Sequence, residues 1–438
     1  MTASLPLPAA LPLEDEDLLT EILLRLPPLR SSLPHASAIC TRWCRLVSDP
    51  KFFRRFRFRH RRNPPLIGFL LMEEGMCRVS FEHTLEAPNR VPTERFSMKY
   101  DDGDQIANCR HGLVLIFPRD GDQVLVWDPV TGDKHRIAVP SLLDMEETPT
   151  KGAVLRTAGV DRHFQVVLVA TDGARAITYV YSSETGIWSN LLEAPLPYKP
   201  GDSLLSSETV TGLWSFLASS PVFFTSRPAV LVGDSLYWLL SNGILEFDLD
   251  RQSLAMISVR EDMRVKSYTD ISIMEADGGG LGVLTLSGFH AQLWKREASS
   301  DGAASWIMGR TFELDKLISL DSEKKMGRVL VAGFAEYNNM VLLCTPIGLF
   351  IVQLQSLEFK KLSETRVPLH YHPFESVYPA GKAFNSYYVV VKDLLSHSVT
   401  CMLVPSMQVS TFIQAVEMQK WAFGCNSFRS YARCGVHL

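Results

Sequence analysis

Two stretches of the chain about a hundred residues apart can be laid on one another strand for strand. No other feature constrains the fold as much. Ala229–Val232, a turn at Gly233-Asp234, Ser235–Leu240, a hairpin signal at Asn242-Gly243, Ile244–Leu249, a turn at Asp250-Arg251-Gln252 and Ser253–Val259 read as a four-stranded antiparallel meander. The same order recurs in Val329–Phe334, Met340–Cys344, Gly348–Leu354 and Leu357–Leu362. Weaker copies lie at Gly112–Phe117, Val124–Asp128 and Lys134–Val139, and at Phe164–Ala170, Ile177–Tyr181 and Ile187–Leu191. Aligning the third strand of each unit selects Trp127, Tyr181, Phe247, Trp294, Val352 and Met402, with separations of 54, 66, 47, 58 and 50 residues and a mean of 55.

Four strands repeated near this interval predict propeller blades, the longer units carrying loop insertions. Residues 64–438 supply 375 positions, enough for six or seven blades, with Gly68–Leu71 and Arg78–Phe81 as a divergent first unit. A closed ring needs its ends paired, because an open one leaves sheet edges bare. The expected C-terminal partners lie at Tyr387–Val391 or Val399–Leu403. Helical repeats would need runs of 3.6 periodicity that this region lacks. A two-sheet sandwich stays open as an alternative, although its strands would not recur at this interval.

The first sixty residues follow a different period. Leu18, Leu19, Ile22, Leu23 and Leu26 predict an amphipathic helix over Glu14–Leu26, begun by acidic residues that suit a helix N-terminus and ended by Pro27-Pro28. A second helix is expected from about Pro34 to Ser48 with Ile39, Cys40, Trp43, Leu46 and Val47 as its stripe, stopped at Asp49-Pro50. Charge separates the two regions. Residues 1–62 carry 11 Lys and Arg against 6 Asp and Glu, leaving 33 against 42 for the remainder, within a net charge of −4. That balance argues against nucleic-acid binding by the chain as a whole. So small a helical module is marginal alone, and its surplus apolar surface either docks onto a partner or caps the adjoining domain.

The run LEDEDLLTEILLRLPP followed by SSLPHASAICTRWCRLVSDPKFF resembles an F-box, through which substrate receptors attach to a Skp-type adaptor and a cullin. The matching pieces are Leu18-Leu19, Glu21-Ile22-Leu23, Arg25-Leu26-Pro27, Leu33, Ala36, Ile39-Cys40, Arg42-Trp43, Leu46-Val47, Ser48-Asp49-Pro50 and Phe52. Thr41 and His35 depart from the usual basic residues, and Leu11-Pro12 stands further from Leu18 than is common, so Leu13 replaces it as the first contact. With CRHGLVLI and LVWDPVTG further on, the chain is similar to the large F-box families of grasses, whose receptors carry an F-box-associated β-propeller. The resemblance implies a small all-α F-box module followed by an all-β propeller of six or seven four-stranded blades. The expected divisions are a flexible 1–12, an F-box-like domain with a basic extension at 13–62, and a propeller at 63–438. It implies adaptor contacts at Leu13, Leu18, Ile22, Leu23, Leu26, Pro27, Ile39, Trp43 and Leu46. The basic run Lys51–Arg62 reads as a nuclear address or phosphate-contacting patch, or as a further helix or extended segment whose phenylalanines cover the junction with the body.

The eight cysteines are scattered without a CxxC pair, and MTASLPLPAALP has no basic n-region, so a reduced cytosolic or nuclear protein is expected. The uncharged run Tyr337–Leu357 has Pro346-Ile347-Gly348 at its middle and reads as two strands around a turn rather than a membrane span.

Little in the sequence carries chemistry. His370 and His372 lack a carboxylate or cysteine trio, and Cys40 and Cys44 make half a zinc site, reading instead as core and rim of the head. Ser235 lacks the second glycine of a nucleophile elbow, and Asp277-Gly278-Gly279-Gly280, with no Lys-Ser/Thr after it, reads as a loop between blades. The acidic tips at Asp101–Asp104 and Asp120–Asp122 do not have the spacing of a calcium loop. No metal, cofactor or catalytic residue is therefore assigned. Most tryptophans fall at repeat-equivalent positions, whereas Trp214 and Trp306 lie in less regular segments and are the better candidates for a substrate-facing surface, with a place in the core as the competing reading for each. The expected function is a non-catalytic substrate receptor of a Skp–cullin–F-box ubiquitin ligase, its blade loops holding a protein substrate near a separate conjugating enzyme. The alternatives are a ligase-independent scaffold, and a sugar-binding or enzymatic propeller with a helical cap.

Overall fold

The computed structural model describes residues 15–73, 78–99, 101, 103–141, 143, 145, 148–157, 163–197, 222, 224–265, 267–298, 304–318, 328–364 and 371–377, and the backbone of two strands at 387–392 and 399–404. It divides into two compact units, Met1–Arg59 with Tyr378–Leu438, and His60–Val377.

In the first unit, α1 (Glu16–Leu24) is capped by Asp15, whose side chain accepts from the backbone N–H groups of Asp17 and Leu18. The expected single second helix is two. Helix α2 (Ser32–Ser37) ends at Ala38, Cys40 is fully extended at φ −161° and ψ 167°, and α3 (Thr41–Ser48) starts afresh. The break turns Ile39 out into solvent and leaves Cys40 and Cys44 exposed, so neither cysteine is core. Asp49-Pro50 ends α3 and also begins α4 (Pro50–His60): Asp49 Oδ1 accepts from Lys51 N–H at 2.8 Å, and Pro50 takes the first position, where its missing donor costs nothing. The basic run is thus helical through His60. Leu19, Leu23, Leu24, Leu33, Ala36, Val47, Phe52 and Phe56 form the interior of this head.

The second unit is a ring of six sheets. Blade 1 holds β1 (Leu66–Glu73), β2 (Arg78–His83) and β3 (Met98–Lys99). Blade 2 holds β4 (Gln105–Arg110), β5 (Leu113–Phe117), β6 (Gln123–Trp127) and β7 (Lys134–Ala138). Blade 3 holds β8 (Thr150–Arg156), β9 (Phe164–Thr171), β10 (Arg175–Ser182), β11 (Ile187–Trp188) and β12 (Leu192–Pro195), the last two both pairing with β10. Blade 4 is β13 (Val230–Val232), β14 (Ser235–Leu240), β15 (Gly243–Asp248) and β16 (Ser253–Ile257). Blade 5 is β17 (Ile271–Glu275), β18 (Leu281–Ser287), β19 (His290–Ala298) and β20 (Ala304–Glu313), followed by the short α5 (Leu314–Leu317). Blade 6 is β21 (Leu330–Ala335), β22 (Met340–Thr345), β23 (Gly348–Gln353) and β24 (Phe359–Ser363).

The ring is closed by β25 (His372–Glu375), which pairs antiparallel with β1 in the register Phe69↔Pro373 and Leu70↔His372 and completes blade 1. The expected closing segments do not take this place. The strands β26 (Tyr387–Lys392) and β27 (Val399–Val404) pair with each other as a two-stranded ladder in the other unit. Met402, aligned above as a blade strand, therefore belongs to no blade. The physical requirement is unchanged: β25 covers the inner edge that β1 would otherwise leave unpaired.

The blade hydrophobic cores lie between consecutive sheets. Trp238 and Phe247 fill the space between blades 3 and 4, and Trp294 that between blades 4 and 5. Two turns differ from expectation. The tight hairpin of blade 4 runs through Ser241-Asn242, since Leu240 already pairs with Gly243. Gly243 is required for a different reason: a Cβ there would stand 2.7 Å from the Ile257 carbonyl oxygen. The Asp277–Gly280 glycines form the β17–β18 hairpin within blade 5, not a link between blades.

Candidate functional site

Two groups of residues stand out, each within one unit. The first is the surface of the head. Leu18, Ile22 and Ile39 are 43%, 39% and 63% exposed, and Pro27 is exposed beside them in sequence. Leu18 and Ile22 share a face of α1 because one turn separates them. Leu26, Trp43 and Leu46 are half-buried, so each has both an inner and an outer side. Leu23 is not a surface residue: it is fully buried and faces the interior with Leu19. Leu13 lies outside the described residues. Of the sequence-selected contacts, then, three large apolar side chains are exposed, three are half-buried and one is structural.

The second group lies on the innermost strands of the propeller. Arg110, at the end of β4, is buried and donates through Nε to Glu336 Oε2 at 2.8 Å, with a second, short contact from Nη2 to Oε1. The same Nη2 also reaches the Ala229 carbonyl at 2.9 Å, and Glu336 Oε1 accepts from Leu231 N–H at 3.2 Å. One bidentate pair therefore links blade 2, blade 4 and blade 6. The geometry is the fork that a guanidinium and a carboxylate make best.

Glu375, on the closing strand, accepts from the backbone N–H of Tyr337 and Asn338 and from the Asn338 side chain. Asn338 in turn donates to the Pro64 carbonyl at 3.0 Å. Burial, reinforced by the neighbouring Glu336 charge and opposed by these donors, pushes the Glu375 carboxyl up to about 7. Beside it, His111 occupies the β4–β5 turn at φ 54°. Its Nδ1 accepts from Arg156 N–H at 3.0 Å, so the neutral ring carries its hydrogen on Nε2 and donates it to the Tyr337 hydroxyl. Burial first, and then the Arg110 and Arg156 charges, hold the ring neutral by lowering its pKa to about 3. Arg156 also pairs with Asp128 at 2.7 Å, and Asp128 Oδ1 accepts from Val130 and Thr131 N–H to fix the turn of the WDPVTG stretch.

Asn108, Cys109, Arg227, Gly333, Glu336 and Glu375 border a central cavity of about 40 Å³. That is room for ordered water, and far less than the roughly 300–1,000 Å³ of a small-molecule pocket. The network reads as a built-in plug that joins the inner strands. Its members escaped the sequence reading because Arg110 and Glu336 are 226 residues apart. Only the CRHG tetrad hinted at them.

The sequence-selected aromatics divide. Trp214 lies outside the described residues, as does His370. Trp306 is not substrate-facing: it is 6% exposed, packs in the core between blades 4 and 5, and its indole N–H donates to the Ser258 carbonyl at 2.8 Å. On its strand β20 the other residues are exposed or half-buried, and Trp306 alone is buried. His372 is buried on β25. Among the described residues no helix is long and apolar enough to cross a membrane.

Comparison with known proteins adds two assignments. An F-box domain matches residues 11–55. The beta-propeller of the F-box protein AT5G49610-like family matches residues 105–381. No curated protein matches the chain. Among solved structures, a luciferin-regenerating enzyme shares 12% identity at a TM-score of 0.32, covering 72% of this chain and 96% of that one. Regucalcin, a calcium-binding protein from Agrobacterium tumefaciens, shares 11% at 0.31 with 72% and 95% coverage. Apo AztD from Citrobacter koseri shares 8% at 0.35 with 71% and 88% coverage. Likeness this slight carries no argument about activity.

Proposed function

Because the chain belongs to the F-box proteins with an AT5G49610-like β-propeller, we propose that it is the non-catalytic substrate receptor of a Skp–cullin–F-box ubiquitin ligase. The observation that carries the reading is the exposure of Leu18, Ile22 and Ile39 on a head whose interior is already filled by Leu19, Leu23, Leu33, Val47 and Phe52. Three large apolar side chains on so small a module favour a partner, because full burial of such a side chain is worth about 1.5–3 kcal/mol and each still has roughly 40–60% of its surface to bury. Leu26, Pro27, Trp43 and Leu46 would extend the same contact, and Leu13 would add to it. The propeller would hold a protein substrate by its blade loops, raising its local concentration beside a conjugating enzyme that does the covalent chemistry. The work fits cytosol or nucleus, where such ligases operate.

The test is a pull-down of a purified Skp-type adaptor with the intact chain carrying Leu18→Asp, Ile22→Asp and Ile39→Asp together. Each carboxylate would sit unpaired in a desolvated contact at a cost of several kcal/mol, and each ~1.4 kcal/mol is tenfold in affinity, so capture should vanish. Leu23 is avoided because an Asp at a fully buried position would unfold the head itself. Undiminished adaptor capture by the triple variant would remove the support for this reading.

A further inference from the structure

The head carries a second surface of a different chemistry. A groove of about 460 Å³ runs between α1, α3 and the start of α4. Leu46 and Phe52 lie at its floor, and Arg42, Arg45, Lys51 and Arg55 stand around it. Two carboxylates share the site, and the structure shows how one of them is occupied: Asp49 caps α4 through Lys51 N–H. Nearby, Arg55 is bridged to Glu21 at 3.1 Å in an exposed pair. The other, Glu16, lies one turn before Thr20 on α1. At about 100° per residue, Glu16 and Thr20 lie about 200° around α1 from Leu18 and Ile22. The groove and the Leu18–Ile22 face are therefore on opposite sides of that helix.

We infer that this groove docks an acidic peptide segment of a partner protein, with one apolar side chain on the Leu46–Phe52 floor and flanking carboxylates against Arg42, Arg45 and Lys51. Charge complementarity selects the sign of the ligand: with Arg55 held by Glu21, the cations Arg42, Arg45 and Lys51 face the carboxylates Glu16 and Asp49, which leaves the site net positive. Its volume lies within the roughly 300–1,000 Å³ of ligand-holding clefts. The floor selects peptide over nucleic acid. Single-stranded nucleic acid is held by exposed aromatic faces that stack on bases, whereas Phe52 is only 4% exposed and offers an apolar edge. The inference goes beyond the adaptor reading, with which it shares Leu46 alone, and Leu18 and Ile22 on the other side of α1 take no part in it.

The experiment is fluorescence anisotropy of the intact chain with a labelled peptide of Asp and Glu around a central Leu, at about 50 mM and about 300 mM salt. Binding is expected at the lower salt and should weaken at the higher. A peptide with Gln and Ser replacing the acids should not bind. Arg45→Glu with Lys51→Glu, both exposed positions, should weaken binding by about tenfold or more, while Leu18→Asp with Ile22→Asp should leave it unchanged. Arg42→Gln, which removes charge without reversing it, gives a milder loss, and an unchanged circular-dichroism melt certifies each variant as folded. No binding at low salt, equal binding by the reversal variant, or tighter binding of an oligonucleotide of equal charge would each overturn the inference.

Discussion

Replacing Arg110 by Met tests whether the central plug holds the ring together. The Arg110 side chain is 1% exposed and that of Glu336 15%. Removing one partner of such a pair leaves the other charge buried, which typically costs about 3–5 kcal/mol. Glu336 keeps its bond from Leu231 N–H and some contact with water, which points to the lower end, about 3 kcal/mol. The Ala229 carbonyl and Asn108 also lose a donor. For a unit spanning His60–Val377, about 2 °C of Tm per kcal/mol is appropriate, so the melt of the full chain should fall by roughly 6 °C. The informative variant is the double one, Arg110→Met with Glu336→Leu. If the single loss comes from a stranded carboxylate, removing that carboxylate should restore most of the stability, because apolar replacement of a buried pair is often neutral. The double-mutant coupling should then be at least about 1 kcal/mol. A single variant that melts within about 1 °C of the parent, or a double variant no more stable than the single, would refute the reasoning.

Trp306→Ala should act on stability and not on any binding surface: it opens a cavity between blades 4 and 5 and strands the Ser258 carbonyl, a loss of about 3–5 kcal/mol in a denaturant melt. Glu375 sets a pH dependence. Its folded-state pKa, about 7, lies above its ordinary 4.5, so the stability it contributes is full below about 4.5 and is lost as pH rises through about 7. His111, held neutral, contributes in the opposite sense, losing stability as pH falls below its ordinary 6.5 toward about 3. The stability of Glu375→Gln relative to the parent should therefore be greater at pH 8 than at pH 5 by chemical denaturation; an equal difference at the two values would refute the shift.

The sequence by itself determined the architecture, because a strand meander announces itself by alternation and turn chemistry. The blades at 229–259 and 329–362 fall within a residue or two of β13–β16 and β21–β24, and the uncharged run at 337–357 is the β22–β23 hairpin. Five of the six aligned third-strand positions lie on the third strands of blades 2 to 6. The family resemblance was legible for a similar reason, since an F-box is a local pattern. Only the tertiary structure decided what depends on distant partners. The innermost strands β4 and β8 were passed over because Asn108, Arg110 and Lys151 break their hydropathy, and those polar residues are tolerable only where other blades supply partners, as blade 4 and blade 6 do for Arg110. Ring closure by β25 rather than a later strand rests on one inter-strand register. In the head, helical spacing could not separate Ile22, which faces water, from Leu23, which faces Leu19: the two are adjacent in sequence, and which side is interior depends on where α3 and α4 pack. Periodicity places residues on a face. Packing alone decides which face is covered.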